Sequence, residues 1–438
     1  MTKLEIAIWS FPVLLLLILF RMPIGLAMLV IGIGGSVLVN GSWIPVLSQL
    51  KSLPFETFSN YSLGIIPLFL MMGQFATHGG LSKSLFDAAA SWLGHRKGGV
   101  AMAAVGACAG FGAVCGSSLA TAATMAQVAL PELKRFGYSG SLSTGALAAG
   151  GTLGILIPPS VVLVIYALLT EQNIAKLFLA AVVPGIIAAA GYMLAIAIYV
   201  RLKPDSAGQR DATPMRQRIK ATIAIWPVLT VFIVVVGGIY AGFFTPTEGA
   251  AFGAAGTGLI ALLNGGLTKE RLVASLSQTA SSSAMIFFIV LGAAAFNSFL
   301  AFAQLPQEAA LWVTSQGFAP YTVLIAILIL YLILGCFMDS LSMILLTVPI
   351  FFPVVSQLDY GMSAEAFGLW FGVLVLIVVE VGLITPPVGM NLFVINSMAR
   401  NTPMLQTYRG VVPFLVSDML RVVLLTAFPI FSIWFLTS

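Results

Sequence analysis

Residues 150–160 read Gly-Gly-Thr-Leu-Gly-Ile-Leu-Ile-Pro-Pro-Ser, and residues 380–391 read Glu-Val-Gly-Leu-Ile-Thr-Pro-Pro-Val-Gly-Met-Asn. Each is an apolar run interrupted by glycine and a double proline. Proline lacks an amide donor and clashes with the preceding turn, so a helix carried through either stretch breaks and frees backbone carbonyls. Around them the chain of 438 residues is 59% hydrophobic and 8% charged, against about 25% charged residues in a soluble domain. Its mean hydropathy is +1.05. A soluble protein is excluded. A spanning helix needs about 20 mainly apolar residues, and such stretches recur nearly end to end, which predicts an all-α polytopic protein with about ten or eleven spans plus shorter re-entrant pieces. The first run, Leu4 to Phe20, carries Glu5 and no small-residue cleavage site after it. It reads as a retained helix rather than a signal peptide.

The two broken runs are the clearest part of an internal repeat. In order along the chain, Pro23 pairs with Pro246, Gly73 with Gly292, Gly94 with Gly317, Ser118-Leu119 with Ser340-Leu341, Pro131 with Pro353 and Tyr138 with Tyr360. Gly154 then pairs with Gly382, and Val182-Val183-Pro184 with Val411-Val412-Pro413. The preserved order carries the argument more than any single match.

Charge orients the halves. Basic residues cluster at His95-Arg96-Lys97, Lys134-Arg135, the tract Arg201 to Lys220, Lys269 with Arg271, and Arg400 with Arg409, whereas the connections around 170–176, 304–317 and 356–365 hold only Lys176. The net charge of +5 is thus the cytoplasmic excess that sets topology, not a nucleic-acid footprint. With the basic clusters inside, Met1 and Ser438 are expected outside, span one descends to Arg21, span two rises from Pro23 to Asn40 and span three descends from Leu63 to His78. The repeats then insert with opposite topology, the sequence signature of a secondary transporter with its binding site at the repeat interface.

Segment 98–131 begins and ends beside basic clusters, so it is expected to be a helical hairpin entering from the cytoplasm and turning near Gly116. Segment 320–355 does the same from outside, turning near Gly335 to Ser340. Non-helical backbone at membrane depth has to be buried in protein or face a watery cavity, so the two tips are expected to meet near the midplane. Freed carbonyls and hydroxyls suit a hard cation, and half-helix N-termini suit an anion. The expected sodium ligands are Ser117, Ser118, Gly150, Thr152 and Gly154 in the first half, and Gly335, Met338, Asp339, Gly382, Thr385 and Pro386 in the second. Contacts to an organic anion between them are expected from Ser118, Thr121, Pro158, Ser160, Ser340 and Asn391.

The plainer readings stand beside these. A lone Ser or Thr in a membrane helix usually bonds within its own helix, and small residues serve close packing. Glu380 is read equally as a cap for freed amides at the break. Glu248 reads as a helix cap, Arg21 as an interfacial anchor, and Arg421 as snorkelling or paired with Asp418. Cys108, Cys115 and Cys336 have no metal or redox spacing, and His78 and His95 no zinc spacing. The amphipathic stretches Leu81 to Trp92 and Lys269 to Gln278 read as interfacial helices, or as arms that let a domain change height.

At Gly116-Ser117-Ser118-Leu119-Ala120-Thr121, at the two proline breaks and at Gly242-Phe243-Phe244-Thr245-Pro246-Thr247-Glu248, the chain resembles the large membrane subunit of tripartite ATP-independent periplasmic (TRAP) transporters, over essentially its whole length. It also looks like the wider ion-transporter superfamily of sodium-dicarboxylate carriers. The resemblance implies sodium-coupled import of a small organic acid delivered by a periplasmic binding protein, with a small four-helix membrane subunit expected as a separate chain, in a bacterial inner membrane. It also implies an elevator. Residues 1–95 and 221–318 would be scaffold and arms, 96–202 and 319–438 the two halves of the transport domain, and 203–220 a flexible cytoplasmic linker. The rivals are a binding-protein-independent dicarboxylate symporter, a channel, and an intramembrane serine enzyme. The last lacks a base within reach, and no phosphate-binding Gly-x-x-x-x-Gly-Lys loop occurs.

Overall fold

The computed structural model describes residues 2–436, so the expected positions of Met1 and Ser438 lie outside the described residues. Every regular element described is helical. The first half runs α1 (Lys3–Leu19), α2 (Ile24–Asn40), α3 (Trp43–Phe58), α4 (Ile65–His78), α5 (Leu81–Leu93), α6 (Gly99–Cys115), α7 (Ser118–Arg135), α8 (Gly140–Leu156), α9 (Val161–Thr170) and α10 (Ile174–Leu202). The second runs α11 (Met215–Ala224), α12 (Trp226–Tyr240), α13 (Pro246–Leu263), α14 (Lys269–Phe302), α15 (Leu305–Ser315), α16 (Pro320–Gly335), α17 (Ser340–Val355), α18 (Ala364–Gly382), α19 (Met390–Met398), α20 (Met404–Ala427) and the short α21 (Ile430–Ile433).

Starts and stops follow local chemistry. Ser117, Ser139, Ser160 and Asn173 cap successive helices with side-chain oxygens that accept from orphan amides, as N-cap residues do. Glu248 closes a capping box with Thr245 at the start of α13, accepting from the Thr245 amide at 2.7 Å. Its plain reading as a cap holds. Both double prolines lie in irregular backbone: α8 and α9 meet at 45°, and residues 383–389 separate α18 from α19.

Four helices, α10, α14, α18 and α20, are long and apolar enough to cross a membrane alone, or six spans if the bent pairs α8–α9 and α11–α12 each count once. The ten or eleven expected also take in shorter apolar helices. Apolar helices such as α2, α6, α16 and α17 stop at 16 or 17 residues, about 25 Å at 1.5 Å per residue, because glycine and serine punctuate what composition alone reads as continuous.

Three further expectations change. The stretch Lys269 to Gln278 is no separate arm but the opening of the 34-residue α14, whereas Leu81 to Trp92 is its own helix, α5. The linker is not free: Arg210 N donates to Gly94 O at 3.1 Å and Ser139 N to Ser206 O at 2.9 Å. Its end winds into α11, held to α5 by Trp92 Nε1 donating to Thr222 Oγ1 at 2.8 Å, with the Arg218 guanidinium over the Trp92 ring. Helix α3 was not foreseen, since Lys51, Pro54 and Glu56 interrupt its apolar pattern.

Packing follows an exchange rule between the halves. Helix α2 lies along α14, and its repeat counterpart α13 lies along α4. Helix α7 packs on α19 while α17 packs on α9, and α8 packs on α20 while α18 packs on α10. The approach of α2 to α14 is backbone to backbone: a Cβ on Gly25 would stand 2.9 Å from Phe288 O. At the centre, α8 is buried from Leu142 and α18 from Ala366 to their C-terminal ends. Helices apolar on every face need protein all round them, so these two form the axis on which the site is built.

Candidate functional site

Each broken helix meets the turn of its own hairpin through glycine. In the first half Gly116, at φ 65°, ends α6 in the left-handed region, a conformation glycine adopts without steric cost. A Cβ there would be 3.4 Å from Pro159 O, and one on Gly154 would be 2.5 Å from Thr121 Oγ1 and 2.9 Å from Ser117 O. In the second half a Cβ on Gly382 would be 2.6 Å from Gly335 Cα. Gly389 N donates to Cys336 O at 3.2 Å. The hairpin turns and proline breaks are therefore one structure in each half, as their matched positions in the sequence anticipate.

A single carboxylate joins the two halves. The Ser118 hydroxyl donates to Glu380 Oε2, and the Ser340 hydroxyl to Glu380 Oε1 at 2.5 Å, with all three side chains buried. Glu380 thus holds the first residue of α7 and the first residue of α17, the repeat-related starts of both outgoing hairpin legs. It was absent from the expected ligands, its carboxyl being read as a functional group at membrane depth and equally as a cap for amides at the break. Its ionisable group at membrane depth was the available signal; its hydroxyl partners were not.

The other expected residues divide by what their side chains do. Ser117 caps α7, accepting from Ala120 N at 3.4 Å, and Asp339 caps α17, accepting from Ser342 N at 3.1 Å. Ser160 caps α9, accepting from Leu163 N at 3.4 Å. Thr385 Oγ1 donates to Val381 O at 2.6 Å. Thr152 Oγ1 donates to Ala149 O at 2.6 Å and lies 2.9 Å from Tyr192 OH, so its hydroxyl is engaged with a neighbouring helix. Gly150 faces the inner hairpin leg, where a Cβ would be 2.9 Å from Cys108 Sγ. Met338 is half-buried, and Pro158 and Pro386 begin the two double-proline steps, whose peptide bonds are both cis. Asn391 Nδ2 donates to Ala148 O at 3.4 Å, which leaves its buried Oδ1 without a hydrogen-bond partner. Thr121 is fully buried against Gly154.

Behind this cluster Arg421 Nη2 pairs with Asp418 Oδ1 at 2.7 Å, both side chains being almost fully buried, and Tyr192 OH donates to Asp418 Oδ2 at 2.8 Å. The pairing alternative for Arg421 is the one found. Chemically, the site offers carbonyl and hydroxyl oxygens at two turns, with the N-termini of α7, α9, α17 and α19 at the interruptions. Among the described residues no group of three His, Cys, Asp or Glu could hold a metal ion, and the three cysteines are free and buried.

Residues 11–431 match the family model described as the tripartite ATP-independent periplasmic transporter, DctM component. The chain is 37% identical over 381 residues to the C4-dicarboxylate TRAP transporter large permease protein DctM of Pseudomonas aeruginosa, covering 86% of this chain and 87% of that one. It is 29% identical to the sialic acid TRAP transporter large permease protein SiaM of Vibrio cholerae, covering 94% of each. Among solved structures, the YdaH transporter of Alcanivorax borkumensis shares the fold at a TM-score of 0.65 and 16% identity, covering 88% of this chain and 89% of that one.

Proposed function

The chain belongs to the DctM family of tripartite ATP-independent periplasmic transporters, as a multi-pass membrane permease and not an enzyme, and from that premise we propose that it imports a small organic acid on a sodium gradient by an elevator movement. The observation that carries the proposal is the exchange rule of packing, in which repeat-related helices trade partners and each hairpin turn closes on a proline break. Combined with basic clusters flanking the first hairpin and not the second, this supports inverted-topology repeats with a central site. Residues 96–202 and 319–438 then form the moving domain, with α1 to α5 and α12 to α15 as scaffold and arms.

The site's donors fit the task. Carbonyl and hydroxyl oxygens suit a hard cation, and helix N-termini suit a carboxylate. Sodium binding at the turns would complete a cradle for the anion, so that solute and ions move together. Each charge moved inward contributes ~2.3 kcal/mol per 100 mV before any concentration term, so two sodium ions outweigh the charge of a monoanionic acid and balance that of a dianion. A periplasmic binding protein and a small membrane subunit complete the system. The C4-dicarboxylate and sialic acid permeases named above supply the first solutes to try.

The decisive experiment is uptake of radiolabelled succinate and sialic acid into vesicles carrying the chain, the small subunit and the binding protein. Accumulation should require all three proteins and an inward sodium gradient. Uptake by this chain alone would overturn the tripartite reading, and equal uptake with potassium in place of sodium would overturn the coupling. In the same assay Ser118→Ala, Asp339→Ala and Thr385→Ala should each raise the sodium concentration for half-maximal uptake by about tenfold, the equivalent of ~1.4 kcal/mol of lost binding. Unchanged sodium dependence in all three would refute their assignment.

A further inference from the structure

A serine hydroxyl has one proton and two lone pairs. With Glu380 ionised, that proton is committed at Ser118 and Ser340, each hydroxyl donating to a different oxygen of the carboxylate. Neither serine then has a proton to give an anionic solute, and what each can turn toward the site is lone pairs. We propose that Glu380 is the positioning residue of both hairpin turns, orienting the Ser118 and Ser340 hydroxyls so that both oxygens serve as ligands for the co-transported cation. This rests on the sodium-coupled reading above and deepens it, for it moves Ser340 from the solute to the cation.

Three features support the assignment. Glu380 is 0% exposed, and a buried carboxylate without compensation costs several kcal/mol, about 3 to 5 on the scale of broken buried pairs. Arg421, whose field reaches Glu380, is already paired with Asp418 at 2.7 Å. The compensation that Glu380 does have comes first from the two hydroxyls and then from the charge of Arg421, and both hydroxyls stand at the first residues of α7 and α17, where helix N-termini favour negative charge. The carboxylate is thus built into the start of both hairpin legs. In metal sites an outer carboxylate that takes a ligand's proton fixes the ligand's orientation and raises its donor strength, and removing it typically lowers affinity about 10- to 100-fold. Here one carboxylate does so for two turns, so the halves of the repeat share one orienting group.

The test uses the full chain purified with its small subunit, and reads sodium-dependent thermal stabilisation without solute, alongside uptake. Glu380→Gln keeps shape but offers one acceptor oxygen and one amide donor, so one serine has to reverse its hydroxyl. Sodium half-saturation is expected to rise about tenfold or more, while the melting temperature without sodium and the solute KM at saturating sodium change little. Ser340→Ala, which leaves Glu380 in place, is expected to weaken sodium stabilisation and spare solute KM. A sodium-stabilised wild type with unchanged sodium affinity in Glu380→Gln would overturn the inference alone. So would Ser340→Ala raising solute KM with sodium binding intact. A wild type that sodium does not stabilise would overturn the sodium reading itself, and this inference with it.

Discussion

Asp418→Ala is expected to abolish uptake and to destabilise the purified protein by about 3–5 kcal/mol, the cost of leaving one member of a buried ion pair alone. Asp418 and Arg421 lie one turn apart on α20, are 1% and 3% exposed, and pair at 2.7 Å. Tyr192 on α10 adds its hydroxyl to the same carboxylate at 2.8 Å and in turn meets Thr152 on α8. Removing the carboxylate leaves a guanidinium without its paired counter-charge among packed helices, and takes from Tyr192 the acceptor that fixes it. Arg421 has no other hydrogen-bond partner for Nε or Nη1, so it cannot shift its charge to a second site already built. The double substitution Asp418→Leu with Arg421→Met should recover most of the lost stability, because a buried pair replaced by apolar groups of similar volume is often neutral. Thermal melting in detergent reads both. Equal melting of Asp418→Ala and wild type would mean that the pair does not hold the domain together.

The parts of this site that local chemistry sets were legible in the sequence. Gly116, the run from Gly335 to Ser340 and the two double prolines interrupt helices by rules acting within a few residues, and the structure breaks the backbone at each of them. The long-range partners were not. Ser118 and Glu380 are 262 positions apart, and nothing near either residue says which hydroxyl will face which carboxylate. Thr152 shows the same limit: its place beside the break suggests a ligand, yet its hydroxyl turns to Tyr192 because α10 packs there.

Gly382→Ala should reduce uptake by about a hundredfold, the penalty that a misplacement of ~1 Å can impose on a positioned site. The added methyl would stand 2.6 Å from Gly335 Cα, 2.7 Å from Gly335 C and 3.2 Å from Cys336 N. All three are backbone atoms, so no side chain can rotate out of the way and the inner leg of the second hairpin has to move. That leg ends at Cys336, whose carbonyl accepts from Gly389 N, so the shift passes directly to the proline break. It also reaches Glu380, two residues earlier on α18, and through it the Ser118 and Ser340 hydroxyls. The overpacking itself should cost about 1–3 kcal/mol of stability, so melting read beside uptake separates a displaced site from an unfolded protein. Gly34→Ala on α2 is the matched control, since a Cβ there meets nothing within 4 Å; it should leave uptake within about twofold, as surface substitutions within ~0.5 kcal/mol do. Vesicle uptake and melting measured on both variants decide the matter. Near-normal uptake by Gly382→Ala would show that the Gly335–Gly382 crossing opens during transport, and that its close approach does not set the geometry of the site.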